Sequence, residues 1–165
     1  MFASSARHGL IPNQLNGGIN PRYNARDVAW WFIKAVGDYI QFTGDKDILQ
    51  EKVRMRFLSD NEEEHRQKLA NGESKMLSLE EIIQDILQKH ATGIKFREWG
   101  ASEELDPNMK YDGFNIQLSL DVYTGFIVGG SSSNALTWMD KMGSSTKADN
   151  KGQPASPRYF LGVSI

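Results

Sequence analysis

The chain has 165 residues, a formal net charge of −2, and positive and negative residues mixed along its length. This length allows one domain or part of a larger one, and the lack of a basic surplus argues against a nucleic-acid-binding protein. The chain contains no cysteine, which excludes disulfide bonds and thiolate metal sites. No apolar run has the length of a signal peptide or a membrane span, so we expect a cytoplasmic protein that does not enter membranes.

The first part of the chain predicts a loop followed by a long helix. Residues 7–24 are rich in closely spaced Gly, Asn and Pro, which form turns. A helix is predicted from Asn24 to Thr43, with Asn24 as its cap and Asp27 in its first turn. Its apolar residues recur with helical spacing, which predicts one buried face; they are Val28, Trp31, Phe32, Ala35, Val36, Tyr39 and Ile40.

The middle of the chain predicts a weaker helix at 47–58 and a solvated, highly charged segment at 60–75. Ser78 and Glu81 have the spacing of a capping box, which predicts a further helix ending at Gly93. Its inner stripe is Leu79, Ile82, Ile83, Ile86, Leu87 and His90. The apolar period then changes, because residues 115–128 alternate as in a β-hairpin. The predicted fold class is therefore mainly α with a small hairpin.

Two short stretches carry residues suited to carbohydrate chemistry. Arg26 and Asp27 offer hydrogen-bond donors and acceptors at a predicted helix start, and Trp30 and Trp31 offer the flat faces that a sugar ring can contact. The structural alternative is that Asp27 interacts with the helix dipole and the Trp pair lies in the core.

The second stretch contains Asp140, which follows Trp138 after a Gly- and Ser-rich loop. Nearby apolar bulk raises the pKa of a carboxyl group, so Asp140 could act as a general acid. The structural alternative is a surface carboxylate paired with Lys141. The three histidines lack the spacing of metal ligands, and we expect neither a metal nor another cofactor.

An ordered series of short runs resembles the C-terminal glucosidase region of eukaryotic glycogen debranching enzymes. The runs include RHGLIPN at 7–13, RYNARD at 22–27, GFNI at 113–116, TGFI at 124–127 and TWMDKMG at 137–143. Gly17-Gly18, Trp30-Trp31, Gly129-Gly130 and PASPR at 154–158 also belong to the series. Each run alone is weak, whereas their order along the chain is specific.

The resemblance implies a fold, an activity and residue roles. It implies part of an (α/α)6 toroid, as in six-hairpin glycosidases, and an enzyme that hydrolyses α-1,6-linked glucose at glycogen branch points with inversion. A separate 4-α-glucanotransferase domain acts first. Asp140 matches the general acid, and Arg26 and Asp27 match the pair that grips the terminal glucose. Trp31 and Trp138 would be walls of the pocket.

The sequence also departs from the family. Serines occupy 131–133, where the family has Asn-Arg-aromatic, and Gly143-Ser144-Ser145 replaces Gly-Glu-Ser. The match ends at residue 158, which predicts a partial glucosidase domain at 1–158 and a divergent tail at 159–165. The family's catalytic base lies beyond this point, so we expect a fragment that is inactive alone, whose parent acts on glycogen or limit dextrin. Its exposed apolar stripes would pack on the rest of the parent.

Three alternatives remain open from the sequence. The chain could be a non-catalytic carbohydrate-binding remnant, or part of a different helical-barrel glycosidase related to glucoamylase or trehalase. It could also be a helical interaction module whose apolar stripes bind a protein partner.

Overall fold

The computed structural model describes residues 1–15, 21–23, 25–98 and 115–129. These residues form three α-helices, α1 (Val28–Thr43), α2 (Glu62–Ala70) and α3 (Leu79–Thr92). They also form five strands: β1 (Lys52–Arg54), β2 (Met76–Ser78), β3 (Ile94–Arg97), β4 (Asn115–Leu120) and β5 (Ile127–Gly129). β1 and β2 make an antiparallel pair, and β3, β4 and β5 make an antiparallel sheet in that order.

Helix α3 begins at the predicted capping box. The Ser78 hydroxyl accepts a hydrogen bond from the Glu81 amide at 3.1 Å, and the Glu81 carboxylate accepts one from the Ser78 amide at 2.6 Å. These bonds satisfy two amides that have no partner within the helix. The buried residues of α3 are Leu79, Ile82, Ile86 and His90, which confirms the predicted inner stripe at those positions.

Helix α1 is also confirmed, although it begins at Val28, and its predicted cap, Asn24, lies outside the described residues. Gly44 ends it in the left-handed region, with φ at 73° and its amide bonded to the carbonyl of Ile40. Ala29 is the one fully buried residue of the helix. The predicted stripe is therefore covered only in part.

The predicted hairpin is confirmed as β4 and β5, joined by a turn in which the Gly125 amide donates to the carbonyl of Asp121 at 2.7 Å. Six apolar residues form a core on the three-stranded sheet, namely Leu10, Tyr23, Ile94, Ile116, Leu118 and Ile127. A second cluster joins α3 to the start of α1 and to the N-terminal segment; its members are Ala6, Ile11, Ala29, Met55, Ile82 and Ile86. The two clusters place the start of α1 next to both α3 and the sheet.

The predicted fold class, a mainly α chain forming part of an (α/α)6 toroid, is wrong for the described residues. Beside its three helices, this part of the chain has two antiparallel sheets. The predicted helix at 47–58 is a 3-10 turn at Asp47–Gln50 followed by β1. Val53 of β1 pairs with Leu77, so a distant partner decides the conformation of this segment.

The segment at 60–75, expected to be a solvated and highly charged excursion, contains α2. The Asn61 side chain caps this helix by accepting a hydrogen bond from the Glu64 amide at 3.0 Å, and His65 is buried beneath it. Most of its other side chains are charged or polar and face solvent, so the sequence of this segment shows no apolar stripe that would predict a helix. No helix in the described ranges combines the length and the apolar character needed to cross a membrane.

Candidate functional site

Arg26 and Asp27 lie side by side immediately before α1, and both are buried, with exposures of 1% and 5%. Asp27 accepts a hydrogen bond from the Trp31 indole at 3.2 Å, and its carbonyl accepts from the Trp31 amide. Arg26 donates to the carbonyl of Asn115, the first residue of β4, at 3.4 Å. Burying charged groups costs free energy unless they are paired or hydrogen-bonded. Two buried ionisable residues at one helix start therefore indicate a functional site more strongly than a surface pair would.

Glu98 fixes the segment that leads to this pair. Its two carboxylate oxygens accept hydrogen bonds from the Arg22 guanidinium at 2.9 and 3.0 Å, and one of them also accepts from the Tyr23 amide at 2.6 Å. Glu98 is 3% exposed. The Tyr23 hydroxyl donates to the carbonyl of Ser5 at 2.6 Å. A two-pronged bond between guanidinium and carboxylate is strong and directional, so it sets where the chain enters α1.

Trp30 and His90 join the first turns of α1 to the end of α3. Their rings meet edge to face, with centroids 4.8 Å apart. His90 is fully buried, and its Nδ1 lies 2.8 Å from the carbonyl of Ile86. Burial lowers the pKa of His90, so the ring is neutral at physiological pH and serves as packing.

A cleft of about 390 Å³ lies beside Arg7 and His8. Arg7 is 6% exposed; its guanidinium contacts the Glu62 carboxylate at 2.6 Å and lies 4.6 Å from the centroid of the Phe57 ring. The His8 ring stacks on Phe96, with centroids 3.9 Å apart and planes 13° apart. Burial lowers the pKa of His8 to about 4 and outweighs the opposing effect of the Asp60 carboxylate.

The structure brings together only some of the residues predicted for the site. Arg26, Asp27 and Trp31 meet at the start of α1, where Trp31 is 58% exposed. Asp140, Trp138, the serines at 131–133 and the predicted tail at 159–165 lie outside the described residues. Glu98 and the His8 cleft were not predicted. Within the described part, no group of three or more His, Asp or Glu residues is placed to hold a metal ion.

The chain has the sequence of a glucosidase family. All of it, residues 1–165, matches the family model described as amylo-alpha-1,6-glucosidase, and the chain therefore belongs to that family. A relative, the glycogen debranching enzyme of Saccharomyces cerevisiae (strain ATCC 204508 / S288c), is 51% identical to it over 169 residues. That match covers 99% of this chain and 11% of the yeast protein. The resemblance inferred from the ordered sequence runs is confirmed.

Proposed function

We propose that this chain supplies the glucose-binding pair and the proton donor of an amylo-α-1,6-glucosidase. The parent enzyme hydrolyses α-1,6-linked glucose at glycogen branch points, after a 4-α-glucanotransferase step has exposed it. The observation that carries the proposal is the burial of Arg26 and Asp27 side by side at the start of α1, in a chain that matches the family along its whole length. The substrate is glycogen or its limit dextrin, met in the cytoplasm.

The residues divide the work between binding and catalysis. Arg26 donates hydrogen bonds to hydroxyls of the terminal glucose, and Asp27 accepts them. Trp31 and Trp138 face the ring as walls of the pocket. Asp140 protonates the glycosidic oxygen as the bond breaks, and a second carboxylate activates water on the opposite face of the sugar. Inversion requires the two carboxyl groups to be about 6.5–9.5 Å apart. The base comes from outside this chain, which by itself releases no glucose.

The rest of the parent enzyme would cover the apolar residues that α1 leaves exposed. Tyr39 is 43% exposed and Phe42 86%. These two residues are about one helical turn apart on α1, and grouped apolar side chains of this kind mark contact surfaces.

A chimera tests the assignment of the acid. The matching segment of the yeast enzyme is replaced by this chain, and Asp140→Asn is introduced, which removes the proton but keeps the shape of the side chain. We expect release of glucose from a branched limit dextrin to fall by at least about 10²-fold, since general acid catalysis typically contributes that much. Transferase activity should persist.

The matched control is Asp38→Asn, because Asp38 pairs with Lys34 on the exposed side of α1. It should leave glucose release unchanged. Full glucose release by the Asp140→Asn chimera would reject Asp140 as the acid. If the chimera without any substitution binds dextrin but does not hydrolyse it, this chain is better explained as a non-catalytic carbohydrate-binding remnant.

A further inference from the structure

The turn that carries His8 places this histidine in the left-handed region of the backbone. Arg7 and Leu10 bond each other's backbone at 2.8 and 3.0 Å, and the two residues between them have positive φ angles, 55° at His8 and 75° at Gly9. This is the form of tight turn that favours Asn-Gly. A β-carbon at Gly9 would lie 2.6 Å from the β-carbon of Lys89, so only glycine fits the second position.

Asparagine or aspartate suits this position as well as histidine does, so the turn alone does not explain the imidazole, and its contacts indicate a further role. The His8 amide donates to the Asp60 carboxylate at 2.9 Å, which holds the turn in place. The ring lies flat on Phe96 and lines the cleft, as Phe96 does. Strained residues that several contacts hold in place are often found at binding sites.

The chemistry of the cleft suits a neutral, hydroxylated ligand. Two guanidinium groups, from Arg7 and Arg97, are balanced by the carboxylates of Asp60 and Glu62. The His8 ring is neutral at physiological pH, since burial lowers its pKa to about 4. The lining thus combines donors, acceptors and aromatic rings without a net charge that would attract a polyanion. The volume of about 390 Å³ falls within the usual range for small-ligand pockets.

We propose that this cleft is a second glucan-binding site, which holds glucosyl units of an α-glucan away from the Arg26–Asp27 pair. Neither Arg26 nor Asp27 is among the described residues that line it. The inference rests on the proposed function, because that function makes an α-glucan the ligand which the neutral, hydroxyl-binding lining would meet. His8 and Phe96 supply the ring contact, and the charged groups bind hydroxyls.

The test is titration of the full 165-residue chain with maltopentaose, which compares the unsubstituted chain with His8→Asn. Asparagine suits the left-handed turn, so this change removes the ring without disrupting the backbone. We expect affinity to fall about three- to tenfold, as for loss of one ring contact. Lys34→Gln, on the exposed side of α1, should bind as the parent does. Inorganic phosphate should not compete.

The same variants in the yeast chimera separate this proposal from the proposed function. His8→Asn should raise KM for a long limit dextrin and leave the hydrolysis of α-glucosyl fluoride, which carries a single glucose, unchanged. Asp27→Asn should impair both substrates. The second site would be overturned if neither the unsubstituted chain nor the chimera bound maltopentaose. Unchanged affinity in His8→Asn, or competition by phosphate, would overturn it as well. Loss of α-glucosyl fluoride hydrolysis in His8→Asn would place His8 in the glucose site and overturn it too.

Discussion

At the scale of single residues, Glu98 connects two distant parts of the chain. It follows β3, and its carboxylate holds Arg22, 76 positions earlier, together with the Tyr23 amide. The Glu98 side chain is 1% exposed and that of Arg22 is 23% exposed, so the pair is largely removed from water. In such a place the loss of one charged partner leaves the other poorly compensated.

We therefore predict that Glu98→Gln lowers the free energy of unfolding by about 1–3 kcal/mol, since the amide accepts fewer hydrogen bonds and carries no charge. Urea denaturation at low protein concentration measures it. Lys52→Gln, which breaks the exposed Lys52–Glu81 pair at 3.3 Å, is the control and should change little. Equal stability of the Glu98→Gln variant and the parent would show that this carboxylate does not anchor the segment before α1.

The depressed pKa of His8 makes stability depend on pH. The value is about 4 in the folded chain, against 6.5 for an exposed histidine, because burial disfavours the charged ring. Between these values the unfolded chain binds a proton that the folded chain does not, so stability falls as pH falls from about 6.5 to 4. His65 and His90 add to this loss, because burial also lowers their pKa values.

We expect His8→Asn to lose less stability than the parent between pH 7 and pH 5, measured by urea denaturation at both values. The carboxylates that face His8, Asp60 and Glu62, also have lowered pKa values, but they start from 3.8 and 4.5 and act below this range. Two cations, Arg7 and Lys89, also face it; burial lowers the pKa of Lys89, but its hydrogen bonds to Asp60 and Asp85 outweigh this and raise it. The same pH dependence in the variant and the parent would assign the loss to the other histidines.

The sequence could identify only part of the candidate site. Arg26, Asp27 and Trp31 are close in sequence, so helical spacing alone is enough to place them together. The contact between Glu98 and Arg22 joins residues far apart, and no local pattern predicts it. The positive φ angle of His8 was not predicted for another reason, because histidine adopts such angles far less often than glycine does.

At the scale of secondary structure, α3 depends on its capping box. Ser78→Ala removes the hydroxyl that accepts from the Glu81 amide, so we predict a loss of about 0.5–2 kcal/mol in the free energy of unfolding. Thermal denaturation followed by circular dichroism is the measurement. Ser74→Ala, four positions earlier at an exposed site, is the matched control. A variant as stable as the parent would mean that the Glu81 carboxylate alone holds the helix start.

Elements with strong local signals were predicted, and elements that depend on distant partners were not. Helices α1 and α3 have apolar residues at helical spacing, and the β4–β5 hairpin alternates clearly. β1 and β2 have three residues each, too few for a period of two to be recognised, and they pair across α2. α2 lacks an apolar face, so its sequence shows no helical spacing of apolar residues from which the helix could be predicted.

At the scale of the whole molecule, the apolar surface of α1 is the main feature that the described residues leave uncovered. Tyr39 and Phe42 keep 43% and 86% of their surface exposed. Burial of apolar area contributes about 25 cal/mol per Å², so two copies of this helix gain free energy by covering each other. The same surface, within a parent enzyme, would stabilise packing against the rest of the protein.

We predict that the purified chain associates with itself as its concentration rises, and that Phe42→Ser reduces this association because it removes the most exposed ring of α1. Light scattering during size-exclusion chromatography gives the mass at each concentration. Val122→Ser is the control: Val122 is 77% exposed, but it lies in the β4–β5 turn and not on α1. In the yeast chimera Phe42→Ser should instead lower the melting temperature, since the ring would lose an apolar partner there. If the unsubstituted chain stays monomeric at every concentration, the α1 face does not self-associate. If Phe42→Ser also leaves the melting temperature of the chimera unchanged, this face does not pack against the remainder of the enzyme.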